Sequence, residues 1–235
     1  MNFAVILSGG IGTRMQTDGI PKQYMIIQNR PVIMYALDAF EAAEEIDGYV
    51  IVADVSYHDT IRGWLQEEGK KKFLGFAIPG ESRQGSVLQG LEACVPFSKG
   101  EEDLVMVHDA VRPCVTVSQI QAGVETLQKF DASLPVVRLV DTIVFSQTGE
   151  KMDDLADRSK LMAAQSPEGF HLHQYLRVNR AATEEELRSC TGASTMAYRN
   201  HLSVGLYEGD YSNFKLTVPA DIDRFALQLN HKDNR

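Results

Sequence analysis

Short apolar runs rich in β-branched residues alternate along the chain with segments of helical periodicity. The runs typical of buried strands are residues 3–7, 50–52, 73–78, 104–107 and 134–137. Helical spacing of apolar positions recurs in residues 32–40 and 61–65, in the set Val117, Ile120, Val124 and Leu127, and after Pro219 at Ile222, Phe225, Ala226 and Leu229. This βαβ alternation predicts an α/β fold, a mostly parallel sheet with helices on both faces.

One segment interrupts the alternation. Apolar residues in 139–145 and 151–155 flank a Ser-Gln-Thr-Gly-Glu turn, which is a hairpin signal. Because an isolated apolar hairpin is marginally stable, we expect it to pack on a second subunit. The sequence therefore predicts one domain over residues 1–235, with residues 138–160 as a protruding dimerisation arm.

The charge and composition of the chain limit the kinds of molecule that it can be expected to bind. The 235 residues are 44% hydrophobic, enough for one core, and the net charge of -9 gives no global field that would attract nucleic acid or an anionic membrane. The first residues carry no basic segment and their apolar run stops at Ser8, so we expect a cytoplasmic protein. The widely spaced Cys94, Cys114 and Cys190 favour free, buried thiols over disulfides or zinc.

A glycine-rich segment follows the first strand and reads Leu7-Ser8-Gly9-Gly10-Ile11-Gly12-Thr13-Arg14-Met15. Its glycines allow backbone N–H groups to turn toward an anion, and Arg14 adds a charge, so the pattern favours a phosphate-binding loop. Met15 stands where the dinucleotide fingerprint needs glycine, and no Gly-Lys-Ser/Thr follows. A plain tight turn with a surface arginine is the alternative. Lys22, after Pro21 in a stiffened loop, would be a second cation at the same place.

Three further segments carry candidate chemistry. Residues 79–87 run from a glycine turn into a helix whose first amides could read a base or a phosphate, although Ser82 as an ordinary N-cap is equally compatible. His108-Asp109-Ala110-Val111-Arg112-Pro113 follows a strand at the edge where α/β sheets bind ligands, and an internal Asp109–Arg112 ion pair is the alternative there. We interpret His108 as structural and His171-x-His173 as exposed rather than metal-bound. Arg158 and Lys215 are isolated cations, and Lys215 is predicted to lie on a strand, pointing away from Phe214 and Leu216.

In this order the motifs resemble one enzyme family. They are residues 7–15, 21–24, 80–86, 108–113 and 141–142, Arg158 with Gln165-Ser166-Pro167, and residues 213–217 with Pro219 and Asp221. The chain is similar over nearly its whole length to the alditol-phosphate cytidylyltransferases, which make CDP-methylerythritol in the isoprenoid pathway or CDP-ribitol for teichoic acid. The resemblance implies a Rossmann-like sheet of the nucleotide-diphospho-sugar transferase type, and transfer of cytidylyl from CTP to an alditol phosphate with release of pyrophosphate.

The resemblance also implies residue roles. Arg14 and Lys22 would stabilise the transition state at the triphosphate, and Arg158 and Lys215 would position the attacking phosphate. The residues implied to hold CTP are Leu7, Ser8, Gly9, Gly10, Gly12, Gly80, Glu81, Ser82, Arg83 and Ser86. Those implied on the alditol side are Asp109, Arg112, Thr142 and Thr191. By the resemblance Mg²⁺ would be bound mainly through the triphosphate, and a homodimer would form through the hairpin arm. The place of Asp109 at the end of a strand separately allows it to hold Mg²⁺ through water or to orient a hydroxyl.

The chain departs from the family's pattern after Thr191, where the usual acidic residue is replaced by Gly192. The glycine loop, the Asp-Ala-Val-Arg-Pro segment and residues 140–144 are closer to the ribitol branch. Two alternatives stay open at this point: a sugar-1-phosphate nucleotidyltransferase using another nucleoside triphosphate, and a catalytically silent nucleotide-binding module. Comparing CTP with UTP, ATP and GTP in a pyrophosphate-release assay tests the first alternative, and CTP binding in calorimetry without turnover on alditol phosphates would favour the second.

Overall fold

The structure is a computed structural model that describes residues 1–10 and 20–232. Its strands are β1 (Asn2–Leu7), β2 (Ile26–Ile27), β3 (Arg30–Pro31), β4 (Gly48–Val52), β5 (Phe73–Ala77), β6 (Leu104–Asp109), β7 (Ala132–Arg138), β8 (Val144–Phe145), β9 (Asp154–Leu155), β10 (Met162–Ala164), β11 (Glu168–His171) and β12 (Val204–Glu208). Its α-helices are α1 (Val32–Ala42), α2 (His58–Glu67), α3 (Arg83–Cys94), α4 (Val117–Thr126), α5 (Leu172–Ala181), α6 (Glu184–Ser189), α7 (Ala193–Arg199) and α8 (Pro219–Lys232).

One mixed sheet organises the chain, in the order β10-β7-β11-β6-β1-β4-β5, with β12 also paired to β7. Strands β5, β4, β1 and β6 are mutually parallel, whereas β11 runs antiparallel to both β6 and β7. The predicted mostly parallel α/β sheet is thereby confirmed. The antiparallel β11 was not predicted, because its four residues carry too short a pattern to identify.

The two faces of the sheet bury separate apolar layers. Ala4 and Ile6 of β1 pack into the cluster that includes α1, and Phe3 and Val5 pack into the cluster that includes α3 and α5. All four side chains are fully buried. Because both faces are covered, the strand reads as an uninterrupted apolar run, and each large side chain contributes about 1.5–3 kcal/mol by leaving water.

The register brings the carboxyl ends of three strands together. Leu7, the last residue of β1, lies opposite Val52 of β4 on one side and Asp109 of β6 on the other. The chain order changes direction at β1, and such a point leaves a crevice beyond the strand ends. The segments that follow β1 and β6 therefore face the same crevice.

Residues between β7 and β10 contain the two-stranded ribbon of β8 and β9, in which Val144 pairs with Leu155 and Phe145 with Asp154. Val144, Phe145 and Leu155 are all exposed on it. The ribbon is separate from the main sheet.

Other expectations are settled by the coordinates. Cys94, Cys114 and Cys190 are free and buried, as predicted. Across residues 1–10 and 20–232, no helix is both long and apolar enough to cross a membrane. The prediction of a strand at Lys215 is wrong, since residues 214–217 have no regular structure. The Leu216 amide donates to the carbonyl of Val111, which lies in the turn after β6 and not in a strand.

Candidate active site

A cavity of about 560 Å³ opens at the carboxyl ends of β1 and β6. It brings together segments from both ends of the chain. Its described lining residues are Leu7, Gly9, Gly10, Lys22, Gln23, Gly80, Glu81, Ser82, Arg83, Ser86, Asp109, Val111 and Lys215. The glycine loop, the turn before α3, the end of β6 and the irregular segment around Lys215 thus share one concave site.

Two glycines are required where the loops approach each other. A Cβ on Gly9 would lie 2.4 Å from Cγ of Pro79, and a Cβ on Gly80 would lie 2.5 Å from the carbonyl carbon of Gly85. Neither neighbour can yield without moving backbone or a proline ring. Glycine at both positions therefore lets the two turns form adjoining walls of the cavity.

The turn before α3 is closed by serine side chains. Ser82 caps the helix by accepting a hydrogen bond from the Gly85 amide at 3.0 Å, and the Gly80 amide donates to Ser86 Oγ at 3.1 Å. The N-cap alternative for Ser82 is therefore correct, and the residue lines the cavity as well. A cap that also faces a cavity leaves the start of the helix beside any ligand bound there.

Asp109 is the centre of a charge cluster. Its Oδ1 accepts from Arg83 Nη2 at 3.0 Å and its Oδ2 accepts from Lys215 Nζ at 2.8 Å. Burial alone would raise the pKa of Asp109, but the charges of Arg83 and Lys215 hold that pKa far below its usual range. The carboxylate is ionised at neutral pH. It pairs with these two residues rather than with Arg112, contrary to the alternative of an internal Asp109–Arg112 pair.

His108 lies directly beneath this cluster and is fully buried. Its Nε2 lies 3.1 Å from the carbonyl of Arg112, which can only accept, and its Nδ1 lies 3.0 Å from Ser166 Oγ. Ser166 Oγ also accepts from the Asp109 amide at 3.2 Å. The contacts fit one neutral tautomer, in which Nε2 carries the proton and the serine hydroxyl donates to Nδ1. Burial lowers the pKa of His108 to about 4, so the ring is neutral, and its interpretation as structural is confirmed.

Glu168 is a buried member of this charge cluster that the sequence patterns missed. It is buried on β11, and its carboxylate accepts from Arg83 Nη2 at 3.2 Å and from the Ser194 amide at 2.6 Å. A Cβ on Gly192 would come within 3.7 Å of Glu168 Oε2. An acidic side chain at position 192 would therefore lie beside an existing carboxylate, which gives a physical reason for the absence of an acid there.

Several predicted site residues lie away from the cavity lining. Arg112 is half-buried behind it and donates to the Asn213 carbonyl at 2.8 Å. Thr142 and Arg158 are exposed near the ribbon, where Arg158 donates to the Val140 carbonyl, and Thr191 is exposed between α6 and α7. Ser8 is buried under the loop against Tyr24. Gly12 and Arg14 lie outside the described residues.

The histidines at 171 and 173 are half-buried rather than exposed, so that expectation is wrong. His171 Nε2 lies 3.2 Å from the Leu127 carbonyl and His173 Nε2 lies 2.7 Å from Ser98 Oγ. Within the described ranges no group of three or more His, Cys, Asp or Glu residues is placed to hold a metal. Both Asp109 oxygens are already in ion pairs, so these residues do not form a protein cage for Mg²⁺.

Comparisons with known proteins found relatives in sequence and a shared fold. A relative from Rubrobacter xylanophilus, named 2-C-methyl-D-erythritol 4-phosphate cytidylyltransferase, is 37% identical over 222 residues, 93% of this chain and 90% of its own. A relative from Vibrio parahaemolyticus, named ribitol-5-phosphate cytidylyltransferase, is 31% identical over 235 residues, 100% of this chain and 98% of its own. The solved 4-diphosphocytidyl-2C-methyl-D-erythritol synthase from Anaerococcus prevotii shares the fold, with a TM-score of 0.82, 24% identity, and coverage of 97% of this chain and 96% of that one.

The glycine turns and lysines around one cavity fit a nucleotidyltransferase of the α/β class, in which backbone amides and cations bind phosphates. The model of the family "IspD: 2-C-methyl-D-erythritol 4-phosphate cytidylyltransferase" matches residues 2–230, so the chain belongs to this family of cytidylyltransferases.

Proposed function

We propose that the enzyme transfers the cytidylyl group of CTP to ribitol 5-phosphate, with 2-C-methyl-D-erythritol 4-phosphate as the second candidate acceptor. The observation that carries this proposal is the shared cavity, in which Lys22 and Lys215 meet two glycine turns at the ends of β1 and β6. Relatives that match this chain over 90% or more of their own length carry the name of one acceptor or the other. The ribitol-like residues of the glycine loop and of residues 140–144 favour the first acceptor.

The reaction needs no general base. A phosphate monoester has a second pKa of about 6, so its oxygens are largely deprotonated at neutral pH. One of these oxygens attacks the α-phosphorus of CTP, the bond from that phosphorus to the bridging oxygen breaks, and pyrophosphate leaves with the electron pair. The task of the protein is to bring two polyanions together, which requires cations and oriented amides rather than a nucleophile.

The proposed roles follow the walls of the cavity. The turn containing Gly80, Ser82 and Ser86 would take the nucleoside side, and Gly9 and Gly10 with Lys22 would take the triphosphate. Lys215 would orient the acceptor phosphate, and Asp109 Oδ2 would accept one further hydrogen bond, from an acceptor hydroxyl group, beside that of Lys215. Mg²⁺ would be bound by the triphosphate oxygens, because both oxygens of Asp109 are in ion pairs.

The proposal includes a homodimer and keeps the expected cytoplasmic location. Thr142 and Arg158 do not line the cavity of their own chain, and they sit beside a ribbon with three exposed apolar side chains. A second subunit that covers the ribbon would bury this apolar surface and would bring both residues toward another cavity.

The test is a pyrophosphate-release assay with CTP and each alditol phosphate in turn. We expect a higher kcat/KM for ribitol 5-phosphate. A higher value for the methylerythritol phosphate would reverse the order of the two candidates. If the protein binds CTP but releases no pyrophosphate with either acceptor, both acceptors are ruled out and a silent nucleotide-binding module is favoured. Faster release with UTP, ATP or GTP would refute CTP as the donor.

A further inference from the structure

The turn that carries Lys22 also holds the first residues of the glycine loop, Ser8 to Gly10. Residues Lys22–Tyr24 form one turn of 3-10 helix, and the two side chains after the lysine are almost completely buried. Gln23 Nε2 donates to the Ser8 carbonyl at 2.6 Å and to the Gly10 carbonyl at 2.9 Å. One side-chain amide therefore uses both of its N–H donors on two backbone carbonyls of the loop.

Tyr24 completes the arrangement. Its hydroxyl donates to the Ser8 carbonyl at 3.0 Å and accepts from Ser8 Oγ at 2.8 Å. Burial raises the pKa of Tyr24 to about 12, although the Ser8 bond acts against this, so the hydroxyl keeps its proton. The Ser8 carbonyl oxygen thus accepts two hydrogen bonds, and both of its lone pairs are occupied.

These bonds fix the direction of a backbone donor. In a trans peptide the N–H points opposite to the preceding C=O, so a Ser8 carbonyl directed at Gln23 and Tyr24 turns the Gly9 N–H away from them. Gly9 lines the cavity. If the Ser8–Gly9 peptide rotated, its carbonyl oxygen would take the place of the Gly9 N–H. An oxygen in this position would repel a phosphate, whereas an N–H attracts it.

From this geometry we infer that Gln23 is a positioning residue. It holds the Ser8–Gly9 peptide and the Gly10 carbonyl in the orientation that suits the phosphates of the nucleotide. It acts through the loop carbonyls, and its backbone continuity with Lys22 ties the position of that cation to the same loop. The inference rests on the proposed function, since it assigns the phosphates of a nucleotide to this wall of the cavity.

The test compares Gln23→Met, which keeps the size and removes both donors, with Gln119→Met as the matched control. Gln119 is also a buried glutamine with a local capping role, on α4, and it does not line the cavity. Calorimetry without an acceptor measures binding of cytidine, CMP, CDP and CTP. For Gln23→Met we expect CTP binding to weaken about tenfold or more, CMP binding to weaken less, and cytidine binding to change by less than about twofold, because only the phosphate groups would contact the peptides that Gln23 holds. Gln119→Met should leave the affinity for each of the four ligands as it is in wild type.

A second measurement tests the loop itself without any nucleotide. In NMR spectra of the ligand-free protein, Gln23→Met should shift or broaden the Gly9 and Gly10 amide signals, and Gln119→Met should not. Emission of Trp64, the single tryptophan, whose ring centroid is 6.1 Å from that of Tyr24, checks that the surrounding aromatic cluster remains folded.

The outcomes separate the inference from the proposed function. Unchanged Gly9 and Gly10 signals in Gln23→Met overturn the positioning role, whether or not nucleotide binds. An equal loss of affinity across all four ligands shows a structural role only and also overturns it. If wild-type protein binds none of the nucleotides while the loop signals still respond to Gln23→Met, the proposed function fails and the assignment to phosphates fails with it.

Discussion

Acid should destabilise the fold through His108, because this ring is buried in its neutral form. Burial lowers the pKa of His108 to about 4, whereas an unfolded histidine has a value of about 6.5. Between these values the unfolded chain binds a proton that the folded chain excludes. The stabilisation is therefore complete above the unfolded pKa, and it is lost as the pH falls from about 6.5 toward 4.

The size of the effect follows from the shift. A difference of about 2.5 pKa units at ~1.4 kcal/mol per unit gives roughly 3 kcal/mol in the limit, and about 1 kcal/mol is already lost between about pH 7.5 and about pH 5.5. Protonation of Nδ1 would also remove the acceptor to which the Ser166 hydroxyl donates. The fully buried ring has no solvent to compensate for that lost hydrogen bond.

Urea unfolding at the two pH values measures this loss. Wild type should lose about 1 kcal/mol more than His108→Gln, whatever the absolute stability of that variant, because glutamine does not titrate. The control is His201→Asn, which removes an exposed histidine at a backbone φ of 60° that asparagine adopts readily. Equal pH dependence in wild type and His108→Gln would refute the reasoning.

Three other changes have definite expected results. Lys22→Ala should lower kcat by about 10²–10³-fold with the melting temperature retained, and near-normal turnover would exclude a role in the transition state. Gly90→Ala should lower the free energy of unfolding by about 1–3 kcal/mol, because the new Cβ would lie 2.3 Å from Val5 Cγ1 of β1. Gly63→Ala, with open space around it, should be neutral or stabilising, and equal denaturation midpoints for the two variants would contradict this. Phe145→Asp should convert the proposed dimer into monomers in sedimentation velocity while Leu227→Asp, an equally exposed change on α8, should not, and an unaltered dimer would remove the ribbon from the interface.

Local sequence signals predicted the parts of the site that are built from contiguous residues. The glycine loop follows β1 and Asp109 ends β6, so the βαβ pattern was sufficient to place both at one edge of the sheet. Gly80 belongs to the same kind of signal, a glycine turn between a strand and a helix. In each case the chemistry depends on a backbone conformation that a short segment determines.

The remaining parts depend on contacts between distant residues. Glu168 pairs with Arg83 across 85 positions of sequence, and nothing local distinguishes a buried glutamate on a short strand from an exposed one. Lys215 reaches Asp109 across 106 positions from an irregular segment. Alternation with its apolar neighbours therefore predicted correctly that Lys215 points away from them, although the segment is not a strand. Tertiary packing selected the conformation in both cases.

The ion pairs at Asp109 have a consequence for catalysis. A chain of net charge -9 must supply local cations to bind two polyanions, yet Asp109 partly neutralises Arg83 and Lys215 in the same cavity. The gain is in orientation, since Lys215 is held at 2.8 Å from a fixed carboxylate instead of sampling its many rotamers. Electrostatic catalysis depends on charges that are already in place when the transition state forms. The buried Asp109 carboxylate therefore offsets part of the positive charge in the cavity, and it fixes the position from which the Lys215 ammonium would act on the acceptor phosphate.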